Sequence, residues 1–430
     1  MTHTHNLMRI LVLTNLYPPH YVGGYELRCR EITETLQERG HQVSVLTSNH
    51  QVASAVSDPV LSYTVDRSLR LHGFFGHSWL GIRELQALER HNNSTLLSTI
   101  QAFKPDIVHV WNLGGISKSL ALTLQRLGIP TVFDVSDHWI ARSLKGDVWL
   151  DWWNRSQHSL PARMLRGIWH LEGRRQHWHG EAPTNPIRHL QFQRIYFCSQ
   201  RLREITEAAG YPVQHGAVIH CPVNTQHFHG APKSSSSPLS KLLYVGRLAE
   251  DKGVLTALKA MREVQGRFNG SLSIYGGGDA DYEAMLKKYV AANALPVTFH
   301  RASPSEMPEV YREHDALLFT SEWEEPFALT PLEAMACGLP VIGTTTGGSA
   351  ELLRHQQNAL TYPAGDAHGL ATQILALAVD PETLAQLAST GHAEVRQRFP
   401  LSIIANQIEA YLAESLATWQ AVTLPHYLAA

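Results

Sequence analysis

Short, continuous apolar runs alternate with amphipathic helical stretches through the first half of the chain. The runs at 9–15 and 41–48 have the length of buried parallel strands, and the helix pattern between them ends at Gly40. Further runs at 103–112 and 129–139 continue this order. The pattern predicts an α/β domain of the Rossmann type, with a parallel sheet covered by helices.

The same order of strand, glycine turn and helix resumes in the second half of the chain. The segments that carry its predicted strands are 242–254, 272–283, 297–301, 316–321 and 340–352. The serine-rich stretch 233–241 is the one low-complexity run, and its composition is typical of a flexible linker. We therefore predict a first domain over 1–232, a second over 242–400 and a C-terminal helix over 401–430.

Composition narrows the class of protein. At 430 residues and 44% hydrophobic, the chain is long enough for two cores, and a net charge of −2 gives no basic field for nucleic acid. The four cysteines lack metal-binding spacing, and the patterns around Cys29, Cys198 and Cys337 suit buried free thiols. The start of the chain has no secretory pattern, and no apolar run is long enough to span a bilayer. We expect a cytoplasmic protein that contacts the membrane at most peripherally.

One segment departs from the regular βα order. Residues 139–190 hold six of the ten tryptophans, interleaved with arginine and histidine. Such a mixture seats helices at a membrane interface or lines an acceptor pocket. It is equally typical of a helical insertion that packs its tryptophans on the first domain, and the sequence leaves these interpretations open.

Polar residues follow the strands of the first domain, where a parallel sheet binds its ligands. Gly23 and Gly24 form a turn before the first helix, in a place suited to a phosphate or sugar contact, although the G-x-G-x-x-G fingerprint of dinucleotide sites is absent. His109 lies inside an apolar strand and is predicted to be a hydrogen-bonded core residue. Four further candidates lie in the polar end of the run at 129–139: Asp134, Ser136, Asp137 and His138.

In the second domain, two carboxylates flank the start of a helix. Glu325 lies in the loop after the strand at 316–321, and Glu333 lies within the helix that follows. A loop carboxylate can accept hydrogen bonds from sugar hydroxyls, a helix carboxylate can hold a ribose, and an anion fits between them at the helix N-terminus. The alternative is that both are ordinary solvated carboxylates.

Two cations stand on another glycine turn. Arg247 and Lys252 follow Gly246, where they could neutralise the charge that develops on a departing diphosphate. Either alone could equally be a surface residue. Asp279 and Asp281 form a D-x-D pair, but helix capping explains Asp279 more simply, and we predict no metal site.

These motifs together resemble the family-4 retaining nucleotide-sugar glycosyltransferases of group 1. The matching stretches are 245–253, 276–281, 321–352 and, more loosely, 17–26. The resemblance implies the GT-B fold, in which two Rossmann-like domains face each other across a cleft and the C-terminal helix returns to the first domain. The chain departs from the family pattern at His138, which follows Asp137 where a His-Asp pair is usual, and at 220–224.

The resemblance also implies roles for single residues. Arg247 and Lys252 would bind the diphosphate, Glu325 the donor sugar and Glu333 the ribose. The implied catalytic residues are Arg247, Lys252, Glu325, Asp137 and His138. The implied donor-binding residues are Gly23, Gly24, Gly246, Arg247, Lys252, Gly277, His300, Arg301, Glu325, Phe327, Ala328, Leu329 and Glu333.

The implied activity is retaining transfer of a sugar from a UDP- or GDP-sugar to a saccharide, lipid-linked or small-molecule acceptor, without metal or cofactor. Polysaccharide biosynthesis is the setting that the family suggests. A nucleotide-sugar epimerase of the same architecture and a noncatalytic nucleotide-sugar-binding protein are the alternatives. A nicotinamide oxidoreductase would need the dinucleotide fingerprint that the first turn lacks.

Overall fold

The computed structural model of the chain describes residues 7–52, 61–143, 147–156, 158–175, 182–236 and 238–427. Trp178 and other parts of the predicted insertion 139–190 lie outside these ranges. The chain forms two compact units, one from Met1–Ile219 with Ala405–Ala430 and one from His220–Ile404. Each unit contains one parallel sheet.

The first unit is built on a seven-stranded sheet in the order β3-β2-β1-β4-β5-β6-β7. Its strands are β1 (Arg9–Leu13), β2 (Gln42–Ser48), β3 (Thr64–Leu69), β4 (Ile107–Val110), β5 (Thr131–Val135), β6 (Ile195–Phe197) and β7 (Ala217–Val218). Its helices are α1 (Gly24–Glu38), α2 (Ile82–Phe103), α3 (Ser119–Arg126), α4 (Trp139–Ser143), α5 (Val148–Asn154), α6 (Leu160–Arg175) and α7 (Gln200–Ala208). The predicted parallel α/β domain is confirmed.

The strands that the apolar runs predicted lie in the middle of this sheet. Residues Ile10 to Leu13 of β1 are at most 1% exposed, because helices cover both faces of the sheet. Strand β3 was not predicted, since it pairs only with β2 at the sheet edge and its sequence is mostly polar. Strand β7 comprises only two residues, because the chain leaves the sheet after Val218.

The second unit has a six-stranded parallel sheet in the order β10-β9-β8-β11-β12-β13. Its strands are β8 (Lys241–Val245), β9 (Ser271–Tyr275), β10 (Val297–His300), β11 (Ala316–Phe319), β12 (Val341–Gly343) and β13 (Leu360–Thr361). Its helices are α8 (Val254–Glu263), α9 (Ala280–Ala292), α10 (Met307–Glu313), α11 (Leu329–Ala336), α12 (Ala367–Val379) and α13 (Pro381–Arg398). Asp279 caps α9 by accepting the Asp281 and Tyr282 N–H groups, as predicted.

The boundary between the units lies earlier than the predicted linker 233–241. Val223 N–H donates to Phe399 O at 2.8 Å, and Lys233 N–H donates to Gly338 O at 3.0 Å. The Lys233 ammonium also lies 3.6 Å from an Asp315 carboxylate oxygen. These bonds to distant parts of the second unit fix the segment, whose composition alone had indicated a flexible connection.

The last helix, α14 (Leu401–Tyr427), ends in the first unit, as predicted. The Tyr411 hydroxyl donates to Ile195 O at 2.9 Å and accepts Ile195 N–H at 3.1 Å, so it pairs with the backbone at the start of β6. Glu409 is buried and pairs with His41 at 3.0 Å. Among the described residues, no helix has both the length and the apolarity needed to cross a membrane.

A buried polar cluster lies between α2 and α3 of the first unit. Glu89 is completely buried and accepts a hydrogen bond from the Ser119 hydroxyl at 2.9 Å. Asn93 donates to the same hydroxyl at 2.9 Å. Burial, reinforced by the charge of Asp147, raises the pKa of the Glu89 carboxyl to about 8. The carboxyl is therefore protonated in the folded protein at neutral pH.

Between about pH 5 and about pH 8, we expect the unfolding temperature of the wild type to fall relative to that of Glu89→Gln. The folded protein holds a proton on Glu89 that the unfolded chain releases above its ordinary pKa of about 4.3. This stabilisation is complete below the unfolded pKa and is lost as the pH rises through the folded one. Calorimetry of both proteins measures the two slopes, and equal slopes would contradict a protonated Glu89.

Candidate functional site

Two loops of the second unit meet at the carboxyl ends of β8 and β11. The order of strands in the chain reverses between these neighbours, which makes their carboxyl ends a topological switch point, where open α/β sheets bind ligands. The Thr320 hydroxyl donates to Lys252 O at 2.8 Å, and Glu322 N–H donates to Asp251 O at 2.9 Å. The two loops are therefore fixed to each other by hydrogen bonds to main-chain carbonyls.

An ion pair joins the two loops at their centre. Lys252 Nζ lies 2.6 Å from Glu325 Oε1, and the side chains are only 21% and 11% exposed. The Ser321 hydroxyl donates to the same oxygen at 2.6 Å. Partial burial strengthens the attraction between the charges. The structure thus brings together two of the predicted catalytic residues and adds Ser321, which the sequence analysis did not single out.

Arg247 lies on the loop after β8, with an exposed side chain. Its guanidinium is 61% exposed and lies 3.8 Å from Asp251, so this pair contributes little to stability. Its backbone is held in place by a hydrogen bond, because the Tyr244 hydroxyl donates to Arg247 O at 3.0 Å. Burial raises the pKa of Tyr244, which keeps the phenol a donor. The guanidinium is accessible to an anion from solvent.

Glycines allow the loops to approach this closely. Gly253 has a φ of +65°, and a Cβ atom there would lie 2.0 Å from Thr320 O. Gly347 has a φ of +59°, and a Cβ atom there would lie 2.2 Å from Glu325 O. Gly348 N–H donates to that same oxygen at 2.7 Å. The loops after β8, β11 and β12 therefore cross at positions that accept no side chain.

The glycine loop after β9 supports the loop after β8. Gly246 N–H donates to Tyr275 O at 3.0 Å, and Gly277 accepts a bond from Leu248 N–H at 2.9 Å. The Arg301 guanidinium lies where a Cβ atom on Gly277 would be, and it pairs with Glu283 at 2.9 Å. Two of the predicted donor-binding residues, Gly277 and Arg301, thus contact each other.

His300, the neighbour of Arg301, ends β10 with an exposed side chain. Its ring stacks on Tyr275 with centroids 4.9 Å apart, and its Nε2 lies 2.8 Å from the Thr298 hydroxyl. The His300 and Tyr275 rings form a flat surface at this end of the sheet, which suits contact with another planar group.

The second predicted carboxylate, Glu333, lies on α11. The buried Tyr311 hydroxyl donates to Glu333 Oε2 at 2.6 Å, and burial followed by the Glu333 charge raises the pKa of this phenol. Phe327 and Ala328 are buried beside the start of α11 at Leu329. Ala328 at the N-cap provides no capping oxygen, so the Leu329 and Thr330 amides at the start of the helix are not capped by its side chain.

The predicted residues of the first unit gather at the start of α1 and the end of β5. Glu26 accepts Gly23 N–H at 3.0 Å, and Asp137 accepts His138 N–H at 2.6 Å. Burial raises the pKa of the Glu26 carboxyl, and the nearby charge of Asp137 adds to the rise. Gly24 begins α1 beside them.

Asp134 and Ser136 have a structural role in the same unit. Arg28 and Asp134 form a buried ion pair at 2.7 Å, and Arg28 also donates to the Ser136 hydroxyl. Arg28 stands in register with the apolar residues Ile32 and Leu36 of α1, a signal that could have identified a buried cation. Breaking such a pair would leave an uncompensated buried charge.

His109 is a core residue, as predicted. Its Nε2 lies 2.8 Å from the Tyr196 hydroxyl, and Trp111 Nε1 donates to its Nδ1 at 3.2 Å. Burial lowers the pKa of His109 to about 4, so the ring is neutral at physiological pH.

Comparison with known proteins gives consistent matches. Residues 22–227 match the protein-family model for Glycosyltransferase Family 4, and residues 240–380 match the family model for Glycosyl transferases group 1. The glycogen synthase of Mycobacterium tuberculosis is 23% identical over 430 residues, covering 94% of this chain and 95% of that protein.

Two solved structures have a similar fold. HepE of Anabaena, in complex with UDP and glucose, has a TM-score of 0.66 at 20% identity, covering 95% of this chain and 100% of that chain. Sucrose-phosphate synthase of Thermosynechococcus elongatus has a TM-score of 0.68 at 19% identity, covering 96% and 100%. Both likenesses extend over the two units.

We expect Gly253→Ala to destabilise the protein more than Gly266→Ala. Both glycines have a left-handed φ, which costs alanine about 1–2 kcal/mol, but only at Gly253 would the new Cβ meet a carbonyl oxygen. Gly266 has no atom within 4 Å of that position and is the matched control. Thermal unfolding of the two variants compares them. Equal losses would mean that the loop crossing is not as tight as described.

Proposed function

Since this chain is a group 1 glycosyltransferase with the GT-B fold, we propose that it moves a sugar from a nucleotide-diphosphate sugar to an acceptor hydroxyl. The observation that carries the proposal is the Lys252–Glu325 ion pair at the switch point of the second sheet. It places a cation for phosphate beside a carboxylate for sugar hydroxyls, within the segment that matches the group 1 model.

The donor would bind with its diphosphate against Lys252, Arg247 and the first amides of α11. A phosphate oxygen that takes the Lys252 ammonium releases Glu325 to accept hydrogen bonds from the sugar, while Ser321 keeps the carboxylate in place. Glu333, which the Tyr311 hydroxyl holds on α11, would accept bonds from the ribose. The HepE complexes with UDP and UDP-glucose make a UDP-sugar the first donor to try.

The transfer would proceed by front-face attack with retention of configuration. As the bond between the sugar and the phosphate oxygen breaks, that oxygen takes the proton from the incoming acceptor hydroxyl, so no separate base is needed. Lys252 and Arg247 stabilise the charge on the departing diphosphate, each strong donor contributing on the order of a few kcal/mol. Asp137 and His138 are the proposed catalytic residues of the first unit.

We expect Lys252→Ala and Arg247→Ala each to lower the rate of sugar transfer about 100-fold or more. The exposed Arg247 side chain can be removed with little change in unfolding temperature, which separates a catalytic loss from a folding loss. Arg267→Ala, an exposed arginine elsewhere in the second unit, is the matched control. Turnover at the wild-type rate in both site variants would refute the diphosphate assignment.

Screening UDP-, GDP- and ADP-sugars by proton NMR identifies the donor and the type of reaction together. We expect nucleotide release that depends on a hydroxyl acceptor and a product with the anomeric configuration of the donor. Conversion of the donor to another nucleotide sugar without acceptor would instead show an epimerase. A product of inverted configuration would contradict front-face transfer.

A further inference from the structure

Helix α6 presents a row of apolar side chains to solvent. Leu160, Met164 and Ile168 are 73%, 70% and 52% exposed, among the most exposed large apolar residues in the described chain. Residues four apart lie on one face of a helix, so the three form a continuous row. We call this row the α6 stripe. A contiguous exposed apolar patch on a protein surface is typical of a site that binds a protein, a membrane or a ligand.

The opposite side of α6 is the one that packs on the protein. The Trp169 ring lies 5.6 Å from that of Trp152 and 5.9 Å from that of Trp153. Arg166 donates to Trp153 O at 2.6 Å, and its guanidinium lies 5.8 Å from the Trp153 ring. This packing fixes the orientation of the helix and leaves the α6 stripe outward.

The described tryptophans of the insertion 139–190 therefore serve mainly in packing. Trp149 and Trp153 are 2% and 4% exposed, and Trp149 Nε1 donates to Pro183 O at 2.9 Å. Of the two interpretations that the sequence left open, core packing applies to these residues. The surface available to a partner is instead the α6 stripe, which the tryptophan pattern did not indicate.

The segment around α6 is positively charged, unlike the rest of the chain. Residues 139–190 hold eight Lys and Arg against four Asp and Glu, whereas the whole chain has a net charge of −2. Arg163 is exposed and flanks the α6 stripe, and α6 has no acidic residue before Glu172. An apolar face flanked by an exposed arginine, in a segment with an excess of cations, complements an anionic lipid surface, which offers acyl chains below a layer of negative headgroups.

We propose that the α6 stripe docks the protein on an anionic bilayer. The helix lies in the plane of the interface, with Leu160, Met164 and Ile168 among the upper acyl chains and Arg163 at the headgroups. The charge excess favours a lipid surface over a protein partner or a second copy of this chain. The docking proposal depends on the α6 stripe and not on the proposed function. If the proposed function also holds, docking on a bilayer narrows the acceptor class to a lipid-linked saccharide.

Cosedimentation of the full chain with vesicles tests the proposal. We expect binding to vesicles of equal parts phosphatidylcholine and phosphatidylglycerol, weaker binding to phosphatidylcholine alone, and loss of binding at high salt. The combined variant Leu160→Gln, Met164→Gln should bind about tenfold or more weakly. Val379→Gln, at a residue 82% exposed in the second unit, is the matched control and should bind like the wild type.

Circular dichroism and the rate of donor hydrolysis in solution should be unchanged in the Leu160→Gln, Met164→Gln variant, because the stripe lies outside the donor site. Such unchanged hydrolysis separates a failure of docking from a failure of the proposed function. Failure of the wild type to bind either vesicle, or equal binding by the variant, would overturn the proposal. Dimerisation of the wild type that the variant abolishes, without vesicle binding, would also overturn it in favour of a self-association surface.

Discussion

The half-buried ion pair between Lys252 and Glu325 is the interaction on which the candidate site depends. It joins residues 73 positions apart in the sequence, on loops that follow two neighbouring parallel strands. A half-buried ion pair is weak as a stabilising device, since desolvation offsets most of its attraction. Its value lies in placement, because an ammonium held by one carboxylate oxygen is already positioned for an anion that replaces that oxygen.

The main chain around this pair does the rest of the positioning. Hydrogen bonds from Thr320, Glu322 and Gly348 connect three loops through backbone carbonyls, and no side chain needs to reorder for the loops to keep their places. A site organised in this way before its ligand arrives loses less entropy on binding. The exposed Arg247 is the exception, and its side chain would become ordered only with the ligand.

The elements that sequence predicts well are those with local signals. Strands buried on both faces give continuous apolar runs, as in β1, and glycine turns mark the loops after β8 and β9. Strand β3 gives no such run because it lies at the sheet edge. The segment 233–241 has the composition of a linker, yet long-range bonds such as that from Lys233 N–H to Gly338 O hold its start in the second unit. Local composition cannot indicate hydrogen-bond partners that lie far away in the sequence.

The same division applies to the site. Lys252 and Glu325 could be predicted because both the glycine turn and the acidic loop have characteristic sequences. Tyr244 and Tyr311 could not, since each acts through a hydrogen bond that only the folded chain creates. In α6, the spacing of four residues puts Leu160 and Met164 on one face of the helix. Which face meets solvent depends on how Trp169 packs against Trp152.

The glycine crossings also limit how this protein could be redesigned. At Gly253 and Gly347, a carbonyl oxygen of a neighbouring loop occupies the place that a Cβ atom would take. Variant libraries that replace these glycines would therefore yield mostly misfolded proteins. Exposed side chains around the same strand ends, such as Arg247 and His300, have room to change. Attempts to alter the choice of nucleotide sugar should therefore diversify those outward positions and keep the crossing backbone intact.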